Sequence, residues 1–352
     1  MNILIVKTSS LGDIIHSYSV LSYLKEKYPD AVIDFVVEKP FAEVVLKHPF
    51  VSNVIEIDTR SWRKSFLNAW KGIRDLRRKI RKKTYDVSFD LQCNSKSGLI
   101  VSLVKAKNKV GFGFKTAIEW PNCFFNGIRF NPGKELNVRD ENLYIVKQFF
   151  KDESAFADSL IARKIQLKIS DDEKQLIDRI LLDPSICNKP IVMVSPGSNW
   201  KNKQISEETM ILFLKKVEAH LSCSFIFTSG SMQELAYVQE LKKSFPNALV
   251  LDKLNLCVLQ NLMAKMDLVI AMDSLPLHLA ATAGTATFSF FGPSSSSKYM
   301  PLGKNHAAFQ GSCPYGRVIE RRCPVLRTCK TGACLKASSA DAFFQAFTQN
   351  IK

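Results

Sequence analysis

Four segments of this sequence carry side chains whose types and spacing could do chemistry. The first is Lys7-Thr8-Ser9-Ser10-Leu11-Gly12-Asp13, in which a run of small residues delivers a carboxylate to the start of an amphipathic stretch. Gly12 permits a tight turn and close approach of a ligand. Asp13 reads either as a helix cap or as a general base toward a hydroxyl, provided its neighbours keep it ionised. The second is Pro196-Gly197-Ser198-Asn199-Trp200-Lys201-Asn202-Lys203, where backbone amides and an ammonium suit a phosphate. The third is Met272-Asp273-Ser274-Leu275-Pro276-Leu277-His278. Here Ser274 would cap a helix whose free amides face an anion; the competing reading is a capped core helix in which His278 is a satisfied polar residue.

The fourth segment is a cluster of thiols. Cys313, Cys323, Cys329 and Cys334 fall within 22 residues, among Pro314, Pro324 and Gly332, whereas Cys93, Cys123, Cys187, Cys223 and Cys257 are scattered. Four soft ligands in a loop-rich segment have the composition of a tetrahedral Zn²⁺ or Fe site. Their spacing is not that of paired CxxC ribbons, so free thiols and disulfides stand beside the metal reading.

Elements that alternate between two periodicities must position these segments. Ile3 to Val6 is a buried-strand run, Asp13 to Tyr28 has helical spacing at Ile14, Ile15, Tyr18, Leu21 and Leu24, and Val32 to Val37 is again strand-like. Phe66, Trp70, Ile73 and Ile80 predict the apolar stripe of a strongly basic helix that carries most of Lys71 to Lys83, and Tyr85 to Leu91 is the next strand. Ser170 before Asp171, Asp172 and Glu173 is a helix start, with a capping hydroxyl and acids at the positive end of the dipole. Strands at Ile191–Ser195, Ser224–Thr228, Leu249–Leu251, Asp267–Met272 and Ala286–Phe291 then alternate with helices at Glu207–His220, Gln233–Ser244 and Pro276–Ala283. Sustained alternation of this kind predicts an α/β protein with parallel sheets joined by right-handed crossovers. Two such layers facing one another would bind a ligand at their strand C-termini.

Size and charge narrow the class. At 352 residues, with 46% hydrophobic and 23% charged residues, the chain is globular and fits two domains. No apolar run of 18 residues occurs and no leader pattern opens the chain, which predicts a cytosolic protein that does not span a membrane. The formal charge of +16 points to a polyanionic partner: nucleic acid, phosphorylated substrate or anionic membrane. The absence of interleaved aromatic motifs argues against specific nucleic-acid binding. Neither GxGxxG nor GxxxxGK[ST] is present, which argues against a dehydrogenase or a P-loop nucleotidase.

Taken in order, the opening motif ending at Asp13, Arg60-Ser61-Trp62-Arg63-Lys64, the loop ending at Lys203, and Asp273 with His278-Leu279-Ala280-Ala281 before Phe291-Gly292-Pro293 resemble the ADP-heptose:lipopolysaccharide heptosyltransferases, glycosyltransferase family 9. The opening motif and the Arg-x-Trp-Arg-Lys segment resemble its heptosyltransferase I branch. The resemblance implies a GT-B fold of two Rossmann-like domains with parallel sheets facing an interdomain cleft, and inverting transfer that requires no cofactor. It implies Asp13 as general base and Lys203 beside the leaving diphosphate. It places Ser198, Asn199, Glu234, Asp273, Ser274 and His278 on the donor, and Ser10, Gly12, Arg60, Arg63, Lys64 and Arg139 on the acceptor side. Two departures are visible: Leu275 stands where the donor motif has glycine, and Val138 where an acid precedes the arginine.

The domain expectation is therefore an acceptor-binding domain over 1–167, an ADP-sugar-binding domain over 168–337, and a terminal helix over 338–352 that packs back on the first domain. The function implied is transfer of heptose from ADP-L-glycero-D-manno-heptose to a Kdo residue of the lipopolysaccharide inner core. The partners are then ADP-heptose, a Kdo-lipid A acceptor and the anionic cytoplasmic face of the inner membrane, where the enzyme would sit peripherally. Competing readings are heptosyltransferase II or another sugar-nucleotide transferase, a sugar-nucleotide epimerase, and a nucleic-acid-binding protein.

Overall fold

A computed structural model describes residues 1–156, 164–186 and 189–351, and the chain divides into two compact units, Met1–Arg163 and Lys164–Lys352. Cys187 lies outside the described residues. In the first unit, β1 (Asn2–Val6), β2 (Val32–Glu38), β3 (Asn53–Ile57), β4 (Tyr85–Asp90), β5 (Ala106–Phe112) and β6 (Ile128–Phe130) form one sheet in the order β3-β2-β1-β4-β5-β6. Every pair is parallel. Apolar runs such as Ile3 to Val6 are buried throughout, as expected of parallel strands covered by helices on both faces.

The second unit repeats the plan. Its strands β7 (Ile191–Ser195), β8 (Ser224–Thr228), β9 (Leu249–Leu251), β10 (Leu268–Met272), β11 (Ala286–Phe291) and β12 (His306–Gln310) lie in the order β12-β11-β10-β7-β8-β9, again all parallel. The strand order reverses between β1 and β4 in one sheet and between β7 and β10 in the other. Chains leaving neighbouring strands at such a point depart toward opposite faces and open a crevice at the strand C-termini.

Several expectations change. The stretch Asp13 to Tyr28 is two helices, Leu11–His16 and Tyr18–Lys27, and at the junction the Ser17 hydroxyl donates to the Ile14 carbonyl at 2.6 Å; such back-bonding competes with the helical ladder. Strands β3, β5, β6 and β12 and the helix Leu256–Met263 are additional to those read from the pattern. The first unit ends at Arg163, because Ile165 and Leu167 are buried in the second, where Gln166 donates to Asn261 at 2.8 Å.

The terminal helix, Ala340–Asn350, packs on the helix Glu207–Leu221 and on β12, and is counted within the second unit. Phe343 and Phe347 are fully buried against Phe213, Phe288, Phe290 and Phe309. Removal of one such ring costs about 3–5 kcal/mol, which anchors the helix to this core. In the helix Phe66–Ile80, only Leu76 and Ile80 are buried. Phe66 and Trp70, expected in its apolar stripe, are exposed.

Candidate active site

In the first unit the candidate base sits at the sheet's reversal point. The chain leaves β1 through Lys7 and Thr8, both buried, and the Lys7 ammonium donates to the Leu91 carbonyl at 2.5 Å. The amides of Thr8 and Ser9 both donate to Gln92 Oε1, at 2.9 and 3.0 Å. Asp13 Oδ2 accepts from the Ser10 amide at 3.1 Å and the Ser10 hydroxyl at 2.8 Å. The carboxylate thus caps the backbone, the first of its two sequence readings, while staying half-exposed at the strand ends. Gly12 lies in the same turn of the helix Leu11–His16.

Gln92 is held in turn by the buried Asp90. Asp90 Oδ1 accepts from the Gln92 and Cys93 amides at 3.0 and 3.1 Å, and Oδ2 from Ser97 Oγ at 2.9 Å and Asn122 Nδ2 at 2.6 Å. Burial raises the Asp90 pKa, and these hydrogen bonds offset only part of that rise. Sequence reasoning passed over Asp90 and Gln92; the available signal was the polar run Asp90-Leu91-Gln92-Cys93-Asn94 closing a strand at its C-terminal end.

Glu38 is the second residue missed. Its buried carboxylate accepts from the Thr59 amide at 3.1 Å, from the Thr59 hydroxyl, and from Lys96 Nζ at 2.8 Å. This fixes the start of the short helix Thr59–Trp62 and with it the exposed Arg60, Arg63 and Lys64. Arg139 is not displayed with them. It is buried near the start of the helix Val138–Phe149, and burial brings its pKa down to about 10 against the opposing pull of Asp140.

The second unit brings three predicted residues together. Lys203 ends the short 3₁₀ turn Lys201–Lys203 beyond β7, and Asp273 follows β10. Lys203 Nζ stands 2.5 Å from Asp273 Oδ2, and His278 Nε2 stands 3.8 Å from Oδ1. Ser294, missed in the sequence although it directly follows Phe291-Gly292-Pro293, donates its hydroxyl to Asp273 Oδ2 from beyond β11. Burial alone would raise the Asp273 pKa. The charges of Lys203 and His278, with hydrogen bonds from Lys203 and Ser294, outweigh it and hold the carboxyl below its ordinary value.

The remaining donor-side residues frame this cluster. Ser198 is buried and its carbonyl accepts from Gln204 Nε2 at 2.9 Å, whereas Asn199 is exposed. Glu234 lies over Gly197 so closely that a Cβ there would fall 2.4 Å from its carboxyl carbon, and its Oε2 accepts the Gly230 amide at 2.7 Å. A side chain at 197 would displace the Glu234 carboxylate from its present position. Ser274 occupies the N-cap position of the helix Leu275–Thr282, but its hydroxyl turns back to the Met272 carbonyl at 3.2 Å. The expected side-chain cap is not made, and the first amides of this helix carry no side-chain cap.

The four clustered cysteines line one small cavity with Asn202 and Thr331. Among the described residues no group of three or more His, Cys, Asp or Glu side chains is placed to hold a metal ion. What the segment does do is brace the lysine turn: Asn202 Nδ2 donates to the Leu326 carbonyl and, at 3.4 Å, to that of Cys329.

Comparison with known proteins identifies the family. The model of glycosyltransferase family 9 (heptosyltransferase) matches residues 73–326. Lipopolysaccharide heptosyltransferase 1 of Pseudomonas aeruginosa is 26% identical over 332 residues, covering 92% of this chain and 87% of that protein. The enzyme of the same name from Escherichia coli K12 is 24% identical, covering 87% and 92%. The structure of E. coli heptosyltransferase WaaC with ADP aligns over 99% of this chain and 100% of its own, with a TM-score of 0.77 at 22% identity. That likeness shows the GT-B fold. The family match spans most of the chain and takes in the Asp90–Gln92 network, the Lys203–Asp273–His278 cluster and the Ser294 that joins it; this chain is a glycosyltransferase, a member of glycosyltransferase family 9.

Proposed function

We propose that this glycosyltransferase moves heptose from ADP-L-glycero-D-manno-heptose to a Kdo residue of the lipopolysaccharide inner core, with inversion at the anomeric carbon. The observation that carries the reading is the convergence of Lys203, Asp273 and His278 at the β7/β10 reversal point. The names of the relatives support the same donor, as does the structure of WaaC with ADP-2-deoxy-2-fluoro heptose, which aligns with a TM-score of 0.75.

In the reaction proposed, the acceptor oxygen forms a bond to C1 as the bond from C1 to the β-phosphate oxygen breaks, and ADP leaves with the electron pair. Asp13 takes the acceptor proton. Lys203 meets the charge growing on the diphosphate, and the uncapped amides of the helix Leu275–Thr282 add donors to the same anion. Asp273 is spent on Lys203, Ser294 and His278, so its part is to orient the lysine rather than to bind sugar. Glu234 faces the nucleotide ribose, with Ser198, Asn199 and Ser274 around the donor. Ser10, Arg60, Arg63 and Lys64 face the acceptor's carboxylate and phosphates.

The acceptor is a glycolipid, so the enzyme works peripherally on the anionic cytoplasmic face of the membrane; among the described residues no helix is long and apolar enough to cross one. Mass spectrometry of a reaction containing ADP-heptose and Kdo-lipid A should show the acceptor gain one heptose residue. Transfer from a different sugar nucleotide alone would overturn the donor assignment, and release of free sugar or epimer without acceptor modification would overturn transfer itself.

A further inference from the structure

Two groups of large apolar side chains stand in the open along one edge of the first unit's sheet. Because all its strands are parallel, every chain segment that follows a strand leaves from the same edge. Beyond β3, the first turn of the helix Phe66–Ile80 exposes Phe66, Leu67 and Trp70, at 83%, 66% and 52%. Beyond β5, the segment before β6 exposes Phe114, Ile118, Trp120 and Phe124, Phe124 at 68%. The latter form one patch: the Phe124 ring centroid lies 5.9 Å from Phe114 and 5.7 Å from Trp120. Patches of this kind mark interaction surfaces on soluble folds.

Charge identifies the partner. Residues 60–83 hold eleven lysines and arginines against a single acid, Asp75. Arg74 and Arg77 lie four and seven positions beyond Trp70, on the same helical face, and the Arg74 guanidinium sits 4.6 Å over the Trp70 ring. At the other patch the exposed Arg129 sits 5.5 Å over Phe114, with Lys115 alongside. The first patch is thus an apolar group ringed by cations, and the second is flanked by two cations against the one exposed acid Glu119, the composition that inserts at the boundary between headgroups and acyl chains of an anionic bilayer. With β2, β1 and β4 between them, β3 and β5 are about 19 Å apart at normal strand spacing, and Asp13 follows β1 at that same edge.

We propose that this edge of the first unit docks on an anionic lipid bilayer through both patches, which straddle the segment bearing Asp13. A glycolipid whose acyl chains stay in the bilayer would then present its sugars between the two contacts. The purpose of the surface rests on the acceptor reading above, but its test needs neither sugar nucleotide nor acceptor, so the two can fail separately.

The full chain is floated with vesicles of phosphatidylethanolamine and phosphatidylglycerol, and with vesicles of phosphatidylcholine alone. Binding should favour the anionic vesicles, and Phe66→Ser/Leu67→Ser/Trp70→Ser and Phe114→Ser/Trp120→Ser/Phe124→Ser should each weaken it by about tenfold or more. Brominated acyl chains should quench tryptophan fluorescence in the wild type, and less so in Trp70→Phe and in Trp120→Phe. All these side chains are exposed, so an unchanged thermal midpoint verifies that each variant is folded. No binding to anionic vesicles, equal binding to both vesicle types, or wild-type binding by both triple variants would overturn the proposal, as would salt-sensitive binding without bromine quenching.

Discussion

Lys203 Nζ lies 2.5 Å from Asp273 Oδ2 across 70 positions of sequence, with 12% and 9% of the two side chains exposed. Lys203 arrives from β7 and Asp273 from β10, the neighbours at which the sheet order reverses. A buried pair of this kind contributes little when intact and costs much when half of it is removed.

Asp273→Ala should therefore destabilise the protein by about 3–5 kcal/mol, since it leaves an ammonium buried without its counter-ion. Asp273→Asn keeps the shape and tests the pH dependence. The folded-state carboxyl lies below its ordinary value, so its stabilisation is complete above the unfolded carboxylate pKa and is lost as pH falls through the folded one. Acid unfolding followed by circular dichroism should be less steep in Asp273→Asn; a profile superimposable on wild type would refute this account of the pair.

Asp13→Ala should lower kcat by about 10²–10⁴-fold while leaving ADP-sugar affinity unchanged, because a general base acts on the acceptor proton. Steady-state kinetics beside donor calorimetry separate the two quantities. Near-normal turnover would reduce Asp13 to its capping role toward Ser10.

Gln92 is expected to act as a positioning residue. Gln92→Leu frees the amides of Thr8 and Ser9 and loosens the segment that aims Asp13, and misplacement of a reacting group lowers kcat by tenfold or more, up to about 10² per ångström. Gln92→Glu keeps an oxygen that accepts from both amides and should recover much of the rate. Equal loss in the two variants, or a change confined to the thermal midpoint, would show a purely structural role.

The cysteine cluster should react unevenly. Hydrogen bonds from Gly332 and Thr331 lower the Cys329 pKa, while burial pushes Cys334 up to about 11. Since the thiolate is the nucleophile, limiting iodoacetamide near neutral pH should label Cys329 well before Cys334. Peptide mapping that found the reverse order would contradict the described arrangement of this segment.

Much of the architecture was legible in local pattern. Apolar runs and capping signals such as Ser170 with Glu173 report short-range physics, and the structure has Ser170 Oγ accepting the Glu173 amide at 3.3 Å at that helix start. The motif residues Asp13, Lys203, Asp273 and His278 were also visible, because each follows an apolar strand at the end where α/β folds bind ligands.

What the chain's linear order could not disclose are contacts made between distant strands. The pairing of Lys203 with Asp273, the grip of Gln92 on the Asp13 segment and the anchoring of Thr59 by Glu38 depend on which strands become neighbours. Periodicity could not separate the two apolar destinations of the helix Phe66–Ile80 either: Ile80 enters the core, whereas Phe66 lies beyond its reach. Likewise the terminal helix found its partner in the second unit's aromatic core, and the four cysteines, up to 21 positions apart in sequence, line one cavity. Hydrophobic pattern specifies that a face will be buried, while tertiary packing alone selects the surface that buries it and sets the distances between side chains on which chemistry depends.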